Sequence, residues 1–569
     1  MIKLARRRGS VKYQKREKDI DPDEIFIDSS NLPNFDVHQF EGRLEKTISR
    51  RSLFIFVGII IVIFLAFLSR IWFLQIKNGE FYFTKSENNR LRNSLVFAKR
   101  GVIYDRLGTK LAWNVENSQE NAYDLRRYIP VGGFAHLLGY LKYPTKDKYG
   151  FYFTEVFDGK DGVEMHYNDI LSGENGKRIV EVDAVGDIQS ENIIHQPKDG
   201  ENLNLSIDAG VQARIYEAIK DLVEKTTFTG GAGVIMDIHN GEVLALTSYP
   251  EYNSQVLTDG QDKATINRYL TNKDTPFLDR VIDGLYTPGS TIKTFMSYAV
   301  LNEKIIDPLQ NILSTGSISV PNPYDPSKPT VFKDWKAHGY VDMRKALAVS
   351  SDVYFYEVGG GFENQKGLGI TNIDKYMKMF GFGEPLKSPF FVGAAGVVPT
   401  PEWKLEKFAG EKWNIGNTYH TSIGQYGFQV SPIQMVRATA SLANGGRLIE
   451  PQILLQTDDD IPNVDLNLNE AYLKIIREGM RDGVIKDYGV VKGLNSADYT
   501  VAAKTGTAEL GVYKQQVNSW ITGFFPYENP KYAFVIVMEK GPIANTIGAV
   551  SIMRQVMDYM AVSRPEYLK

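Results

Sequence analysis

No cysteine occurs among the 569 residues, and that one absence removes disulfides, thiolate nucleophiles and cysteine-based zinc sites together. Any covalent catalyst must then be a serine, a threonine, a lysine or a carboxylate. The compartment stays open. Excess charge is also missing: 65 basic against 68 acidic residues leave a net −3, which gives no footprint for a nucleic-acid partner. The seven histidines form no cluster at metal-ligand spacing, and His338 in Lys336-Ala337-His338-Gly339 reads as a surface or hydrogen-bonded core residue. No metal and no cofactor is expected, and no internal repeat occurs. What remains is ordinary globular composition, 43% apolar and 23% charged, with room for two or three domains.

Residues 1–51 are polar, carry eight Lys/Arg among the first eighteen, and read as a disordered tail. An apolar run follows over residues 53–68 and is extended by Ile71-Trp72-Phe73-Leu74. It predicts one transmembrane helix, 52–76, with Arg70 snorkelling and Trp72 at an interface. A cleaved signal peptide would begin nearer the N-terminus, and a buried core helix seldom runs sixteen apolar residues without a polar face. Flanking charge is balanced, so only the Arg50-Arg51 pair abutting the span leans towards an N-terminus inside.

Beyond the span, Arg100 to Gly108 reads as a short strand meeting a turn, residues 116–160 as irregular and aromatic-rich, and residues 178–184 as a strand. This region, 77–201, carries no reactive constellation and predicts a folded spacer. A second domain begins near Asn202 with an amphipathic helix over 209–225. Apolar runs flank Asn240-Gly241, a hairpin signal, and a second strand pair surrounds residues 526–531. A closing helix spans 548–561, and residues 456–468 read as an acidic surface loop. Strands at both ends with helices between predict an α+β domain, an antiparallel sheet packed by helices.

Within that domain Thr287-Pro288-Gly289-Ser290-Thr291-Ile292-Lys293 ends a loop and opens an apolar helix. The hydroxyl of Ser290 and the amine of Lys293 are three residues apart, on one helix face, so the amine can reach the hydroxyl. A serine becomes a nucleophile when a base lies within hydrogen-bond reach, and a lysine serves if burial and a neighbouring cation leave its amine free. The same spacing arises by chance about once or twice in a chain this long, usually as an N-cap followed by a solvated lysine. Two further motifs add weight. Ser350-Ser351-Asp352 falls at a turn between helices, and Lys504-Thr505-Gly506-Thr507 follows a strand at 499–503, where the glycine would let a substrate approach the backbone. Ser-x-x-Lys, Ser-x-Asp and Lys-Thr-Gly in this order on an α+β domain are the combined signature of β-lactamases and penicillin-binding proteins.

The chain resembles a class B penicillin-binding protein over residues 53–569. Ile103-Tyr104-Asp105-Arg106, Gly162-Val163-Glu164, Glu181-Val182-Asp183-Ala184, Trp413-Asn414-Ile415-Gly416 and the stretch from Gly424 to Gln434 match that family beyond the three motifs. Asp334-Trp335-Lys336 with Gly339, then residues 350–356, look most like the elongation branch, penicillin-binding protein 2. The resemblance implies a cytoplasmic tail (1–51), a span (52–76), a pedestal (77–201) and a transpeptidase domain (202–569) outside the inner membrane. It implies D,D-transpeptidation of peptidoglycan stem peptides in wall elongation, with β-lactams as inhibitors. Ser290 would attack, Lys293 would take its proton, Ser350 would relay a proton, and Lys504 would help keep Lys293 neutral. Thr505 and Thr507, flanking Gly506, would hold the terminal carboxylate, and the amides of Ser290 and Thr507 would form the oxyanion hole. Asp352 stands where much of the family has Asn, and Gly424-Gln425-Tyr426-Gly427 replaces the usual Gly-Gln-Gly on a cleft wall. Some elongation-type relatives carry a zinc site near His338; without cysteine it is not carried over.

The family's long head subdomain is absent between Asn114 and Arg127, where about a dozen residues stand. Activation through that head is therefore not implied, whereas docking to a SEDS-family lipid II polymerase through the span and pedestal is. Alternatives of other classes are a division-type transpeptidase, a D,D-carboxypeptidase or β-lactamase using water as acceptor, and a non-catalytic β-lactam sensor or scaffold. Intact Ser290, Lys293 and Lys504 weigh against the last, and the span with its pedestal favours transfer over hydrolysis.

Overall fold

The computed structural model describes residues 50–82, 91–118, 123–146, 152–182, 188–322, 325, 327–455, 463–511, 515–543 and 547–569. The chain divides into two units. The first takes residues up to Arg92 together with Glu181–Ser190. Its main element is helix α1, Arg50–Trp72, which continues as one π-helical turn, Phe73–Lys77. Leu53–Lys77 is long and apolar enough to cross a membrane and none of it is buried against protein. The tail expected over 1–51 lies outside the described residues except for Arg50 and Arg51.

The second unit holds Asn93–Val180 and Glu191–Lys569. Four short strands form a sheet in the order Leu203–Asn204, Ile103–Tyr104, Lys110–Val115, Leu125–Tyr128, so the aromatic-rich stretch is less irregular than its sequence reads. Beneath it Glu164 is fully buried between two guanidiniums, accepting from Arg100 Nε and Arg126 Nε, both at 2.7 Å. Burial pushes the Glu164 carboxyl up, but Arg126 and Arg100 outweigh it and hold the group below its ordinary range.

Five antiparallel strands make the main sheet: β1 Gly230–Asp237, β2 Val243–Tyr249, β3 Ala502–Leu510, β4 Gln516–Phe525 and β5 Tyr532–Pro542, in the order β2-β1-β5-β4-β3. The Asn240-Gly241 hairpin forms as expected, with Val234 opposite Leu246. Both faces are buried, and period-two alternation divides them. Ile235, Ile521 and Ile536 face helices α2, Ala209–Lys225, and α8, Ala549–Ser563; Val234, Trp520 and Val537 face the larger core. Through that larger core runs α6, Pro432–Ala443, with all twelve residues buried. Around it lie α3, Lys293–Asn302, α4, Met343–Val349, α5, Asp352–Gly360, and α7, Glu470–Ile485.

Two expectations change. The strand placed at 499–503 is β3, which begins at Ala502 and runs through Lys504-Thr505-Gly506-Thr507, because pairing of Lys504 with Thr522 and Thr507 with Ser519 overrides the low strand preference of glycine. In the stretch read as an acidic loop, Asn463–Asp465 pairs with Arg447–Ile449, while 456–462 and Asp183-Ala184 lie outside the described residues.

Candidate active site

Ser290 sits in a 3-10 turn, Gly289–Ile292, that leads directly into α3. Three contacts set that turn. Tyr286 and Val430 exchange both backbone hydrogen bonds at 3.0 Å, Trp520 Nε1 donates to Thr287 O at 3.0 Å, and Gly289 N donates to Gly424 O at 2.9 Å. Tyr286 is itself anchored, its hydroxyl donating to Glu539 Oε1 at 2.5 Å while Arg280 Nε donates to Glu539 Oε2 at 2.9 Å. Gly289 has φ +56° and a methyl there would stand 2.8 Å from Thr507 O, so only glycine admits both the left-handed turn and the close approach of β3. Gly506 acts from the other side: a methyl on it would meet Pro288 O at 2.6 Å. Its bare Cα therefore admits the Ser290 turn, whereas the sequence had suggested room for substrate.

Ser350, Ser351 and Asp352 form the expected turn between α4 and α5. Ser350 adopts the left-handed conformation, φ +60° and ψ +42°, and Ser351 caps α5 by accepting from Tyr354 N. The turn brings two lysines together. Lys293, fully buried, donates to Asp352 Oδ1 at 2.6 Å, to Ser350 O at 2.9 Å and to Ser350 Oγ at 3.5 Å. Lys504 donates to the same Ser350 Oγ at 2.7 Å and to Thr505 O at 3.0 Å. Among the described residues the Ser290 hydroxyl makes no hydrogen bond, so the bond to Lys293 that the spacing suggests is not formed; a buried carboxylate at 2.6 Å outcompetes a neutral hydroxyl for the amine.

Burial first, then the Lys293 cation, push Lys504 well below the ordinary lysine range; the Asp352 charge opposes this. Burial likewise pushes the Asp352 carboxyl up, against the pull of Lys293. Ser350 Oγ accepts from both amines, which leaves its own proton free to point elsewhere. Ser290, Ser350, Asp352, Thr505, Gly506 and Thr507 line one cleft of about 1050 Å³, and the two lysines are buried beside it. The outer wall adds Tyr426, in the stretch the sequence placed on a cleft wall, and Trp335 and Tyr356, which the sequence had noted only as marks of a branch; His420 joins them from outside any motif. Thr505 and Thr507 lie on one face of β3, a sheet edge, while Lys504 and Gly506 lie on the other.

Comparison with known proteins agrees with this geometry. The family model "Penicillin binding protein transpeptidase domain" matches residues 231–558, and "Penicillin-binding Protein dimerisation domain" matches 120–205. The chain belongs to the penicillin-binding transpeptidases. It is 31% identical to peptidoglycan D,D-transpeptidase MrdA of Acinetobacter baumannii, over 91% of this chain and 89% of that one, and 28% identical to MrdA of Haemophilus influenzae, over 93% and 94%. A crystal structure of Pseudomonas aeruginosa PBP2 in complex with WCK 5153 superposes with a TM-score of 0.69 at 27% identity, over 84% of this chain and 98% of that one. PBP2 of Helicobacter pylori, solved in complex with MreC, does so at 0.67 and 25% identity, over 83% and 99%. This penicillin-binding transpeptidase is thus a serine-type peptidoglycan D,D-transpeptidase of the elongation branch, anchored to a membrane. The Acinetobacter alignment spans 623 positions, more than the chain's own length, so that relative carries stretches without a counterpart here.

The zinc site that the resemblance raised near His338 finds no matching donor set. Around His338 stand one carboxylate, Asp334, and two hydroxyls, Ser314 and Ser351. His338 Nε2 is buried, lacks a hydrogen bond and lies 3.5 Å from Asp334 Oδ1. Among the described residues no group of three His, Cys, Asp or Glu side chains gathers to hold a metal, and zinc takes hydroxyl ligands rarely. The residues present do not fit the ion.

Proposed function

We propose that this transpeptidase runs its reaction through Ser290, with Lys293, Ser350, Asp352 and Lys504 managing protons and Thr505-Gly506-Thr507 holding the donor. The convergence of two buried lysines on the Ser350 hydroxyl, beside Asp352 and across the cleft from Ser290, carries this reading. In the first half-reaction Ser290 Oγ attacks the carbonyl of the penultimate D-alanine of a stem peptide. Its proton passes to the Lys293 amine, which the Asp352 carboxylate holds in place. The backbone amides of Ser290 and Thr507 stabilise the oxyanion. When the tetrahedral adduct collapses, the C–N bond breaks and the departing D-alanine amine takes a proton from the Ser350 hydroxyl, which is replenished from Lys293 with the proton taken from Ser290. The ester left on Ser290 is then attacked by the amine of a second stem; that amine gives a proton to the same network, which returns it to the departing Ser290 oxygen.

Asp352 acts here as the counter-charge of Lys293, a role that an amide cannot fill. The hydroxyls of Thr505 and Thr507 hold the donor's terminal carboxylate, and β-lactams, which present a carboxylate and a reactive acyl group, enter by the same contacts. The chain divides as tail 1–51, span 52–76, pedestal 77–201 and transpeptidase domain 202–569, the pedestal being short because the head between Asn114 and Arg127 is reduced. The N-terminus lies in the cytoplasm and the catalytic domain in the periplasm, with a SEDS-family glycan polymerase docked along the span. The Arg50-Arg51 pair at the head of α1 and the likeness to elongation-type relatives support this placement.

The test is intact-mass analysis of the full chain in detergent with a fluorescent penicillin, comparing wild type with Ser290→Ala. One stable adduct per chain, lost in Ser290→Ala, is the expected result. Turnover without an adduct indicates a hydrolase, and an adduct that survives Ser290→Ala removes Ser290 from its role.

A further inference from the structure

We infer that Asp334 is a positioning residue for transpeptidation: with Ser314 and Ser351 it forms a metal-free clasp that fixes the Ser350–Asp352 turn against Lys293 and Lys504. The inference rests on the roles proposed above for Ser350 and Asp352.

The turn needs a restraint. Ser350 is a non-glycine residue at φ +60°, a strained conformation that persists only where surroundings over-determine it. Ser350 and Asp352 face the lysines, while Ser351 between them points inward and is fully buried. There the Ser351 hydroxyl donates to Asp334 Oδ2 at 2.8 Å. The same oxygen accepts from Val353 N at 3.0 Å and Ser314 Oγ at 3.3 Å, and Asp334 Oδ1 accepts from Trp335 N at 2.8 Å. Ser351 Oγ and Ser314 Oγ are 3.2 Å apart, closing the ring.

Asp334 thus grips the turn by a side chain and a backbone amide on its far side. Val353 N is one of the first amides of α5, so the carboxylate also meets the positive end of that helix. The clasp has its own foundation: Asp334 N donates to Gly316 O at 2.8 Å and His338 N to Ser314 O at 3.0 Å, which ties residues 314–316 to 334–338. With three donors on Oδ2 and one on Oδ1, the carboxylate is already satisfied. Hydrogen bonds fill the place where zinc would need four nitrogen, sulfur or carboxylate ligands.

The experiment measures metal content of the full chain in detergent, and acylation by a fluorescent penicillin over a concentration series that separates the maximal acylation rate from half-saturation. Variants are Asp334→Asn, Ser351→Ala and Ser314→Ala, with rates referred to the titratable fraction of active chains. Expected are no stoichiometric metal, a rate unmoved by chelator, and in Asp334→Asn a maximal rate about tenfold lower or more with half-saturation within about twofold. Ser351→Ala and Ser314→Ala lose smaller factors, and they carry the test if Asp334→Asn does not fold. A merely structural role would lower the melting temperature and the active fraction while leaving the rate per active chain unchanged, and that result overturns the inference. So does one bound metal per chain whose removal slows acylation. Ser350→Ala keeps the failures apart: a wild-type rate in that variant refutes the roles assigned to the turn, whereas a slow Ser350→Ala beside a normal Asp334→Asn refutes the clasp alone.

Discussion

Replacing Gly506 by alanine tests how tightly the Ser290 turn is held against β3. The added methyl would lie 2.6 Å from Pro288 O, 2.9 Å from Thr291 Cγ2 and 3.2 Å from Trp520 Cβ. None of the three yields easily: the first is backbone, the second belongs to a fully buried side chain, and Trp520 is buried with its indole nitrogen bonded to Thr287 O. Relief to an ordinary contact of about 3.5 Å requires strand and turn to part by something approaching an ångström. Overpacking of this kind costs about 1–3 kcal/mol of stability. The effect on chemistry is larger, because the amides proposed for the oxyanion hole, Ser290 N and Thr507 N, lie on the two sides of this contact. Loss of alignment of one such donor costs about 100- to 1000-fold in rate, or about 3–4 kcal/mol of barrier. Stopped-flow acylation of the full chain by a fluorescent penicillin, corrected for active fraction, should fall by about 100-fold. Acylation within about threefold of wild type, with the folded fraction unchanged, would show that the contact does not set the donor geometry.

Two predictions concern the rest of the second unit. Glu164→Ala leaves the guanidiniums of Arg100 and Arg126 buried without their carboxylate, a loss of about 3–5 kcal/mol; a lowered melting temperature checks it, and an unchanged one refutes the fold's dependence on this ion triad. Glu251 accepts from Gly133 N at 2.6 Å and Ala135 N at 2.9 Å, yet burial pushes its carboxyl from 4.5 up to about 7. The folded chain therefore keeps a proton there that the unfolded chain releases, so stability falls as pH rises from 4.5 to about 7, by about 3 kcal/mol in all. Glu251→Gln has no proton to lose. Urea midpoints at pH 5 and pH 8 should differ less in that variant than in wild type, and parallel shifts would refute the assignment, since Asp279 and Glu357, also raised to about 7, titrate in both proteins.

What the sequence discloses and what it hides follow from the range of the forces involved. The main sheet is legible because unbroken apolar runs such as Val234-Ile235-Met236 are a local consequence of two buried faces, and the Asn-Gly hairpin is local too. The three motifs are legible as motifs, and the trio in order is enough to bring their side chains to one cleft. Their pairings are not, because each is fixed by a partner far along the chain. Spacing suggests that Lys293 turns to Ser290, three residues back; the carboxylate that captures it is 59 residues ahead, and the amine that meets Ser350 is 154 residues away. Gly506 illustrates the same limit, since a glycine in a strand signals that something comes close but not whether it is a ligand or another stretch of the same chain. Here the neighbour is Pro288 O. Asp334 marked only a branch of the family in the sequence, and its importance emerges once Ser314, Ser351 and Val353 N are found around one of its oxygens. A residue that touches no substrate but satisfies three donors at the back of a strained turn has no signature of its own. It becomes visible when the question is where each buried polar group sends its hydrogen bonds.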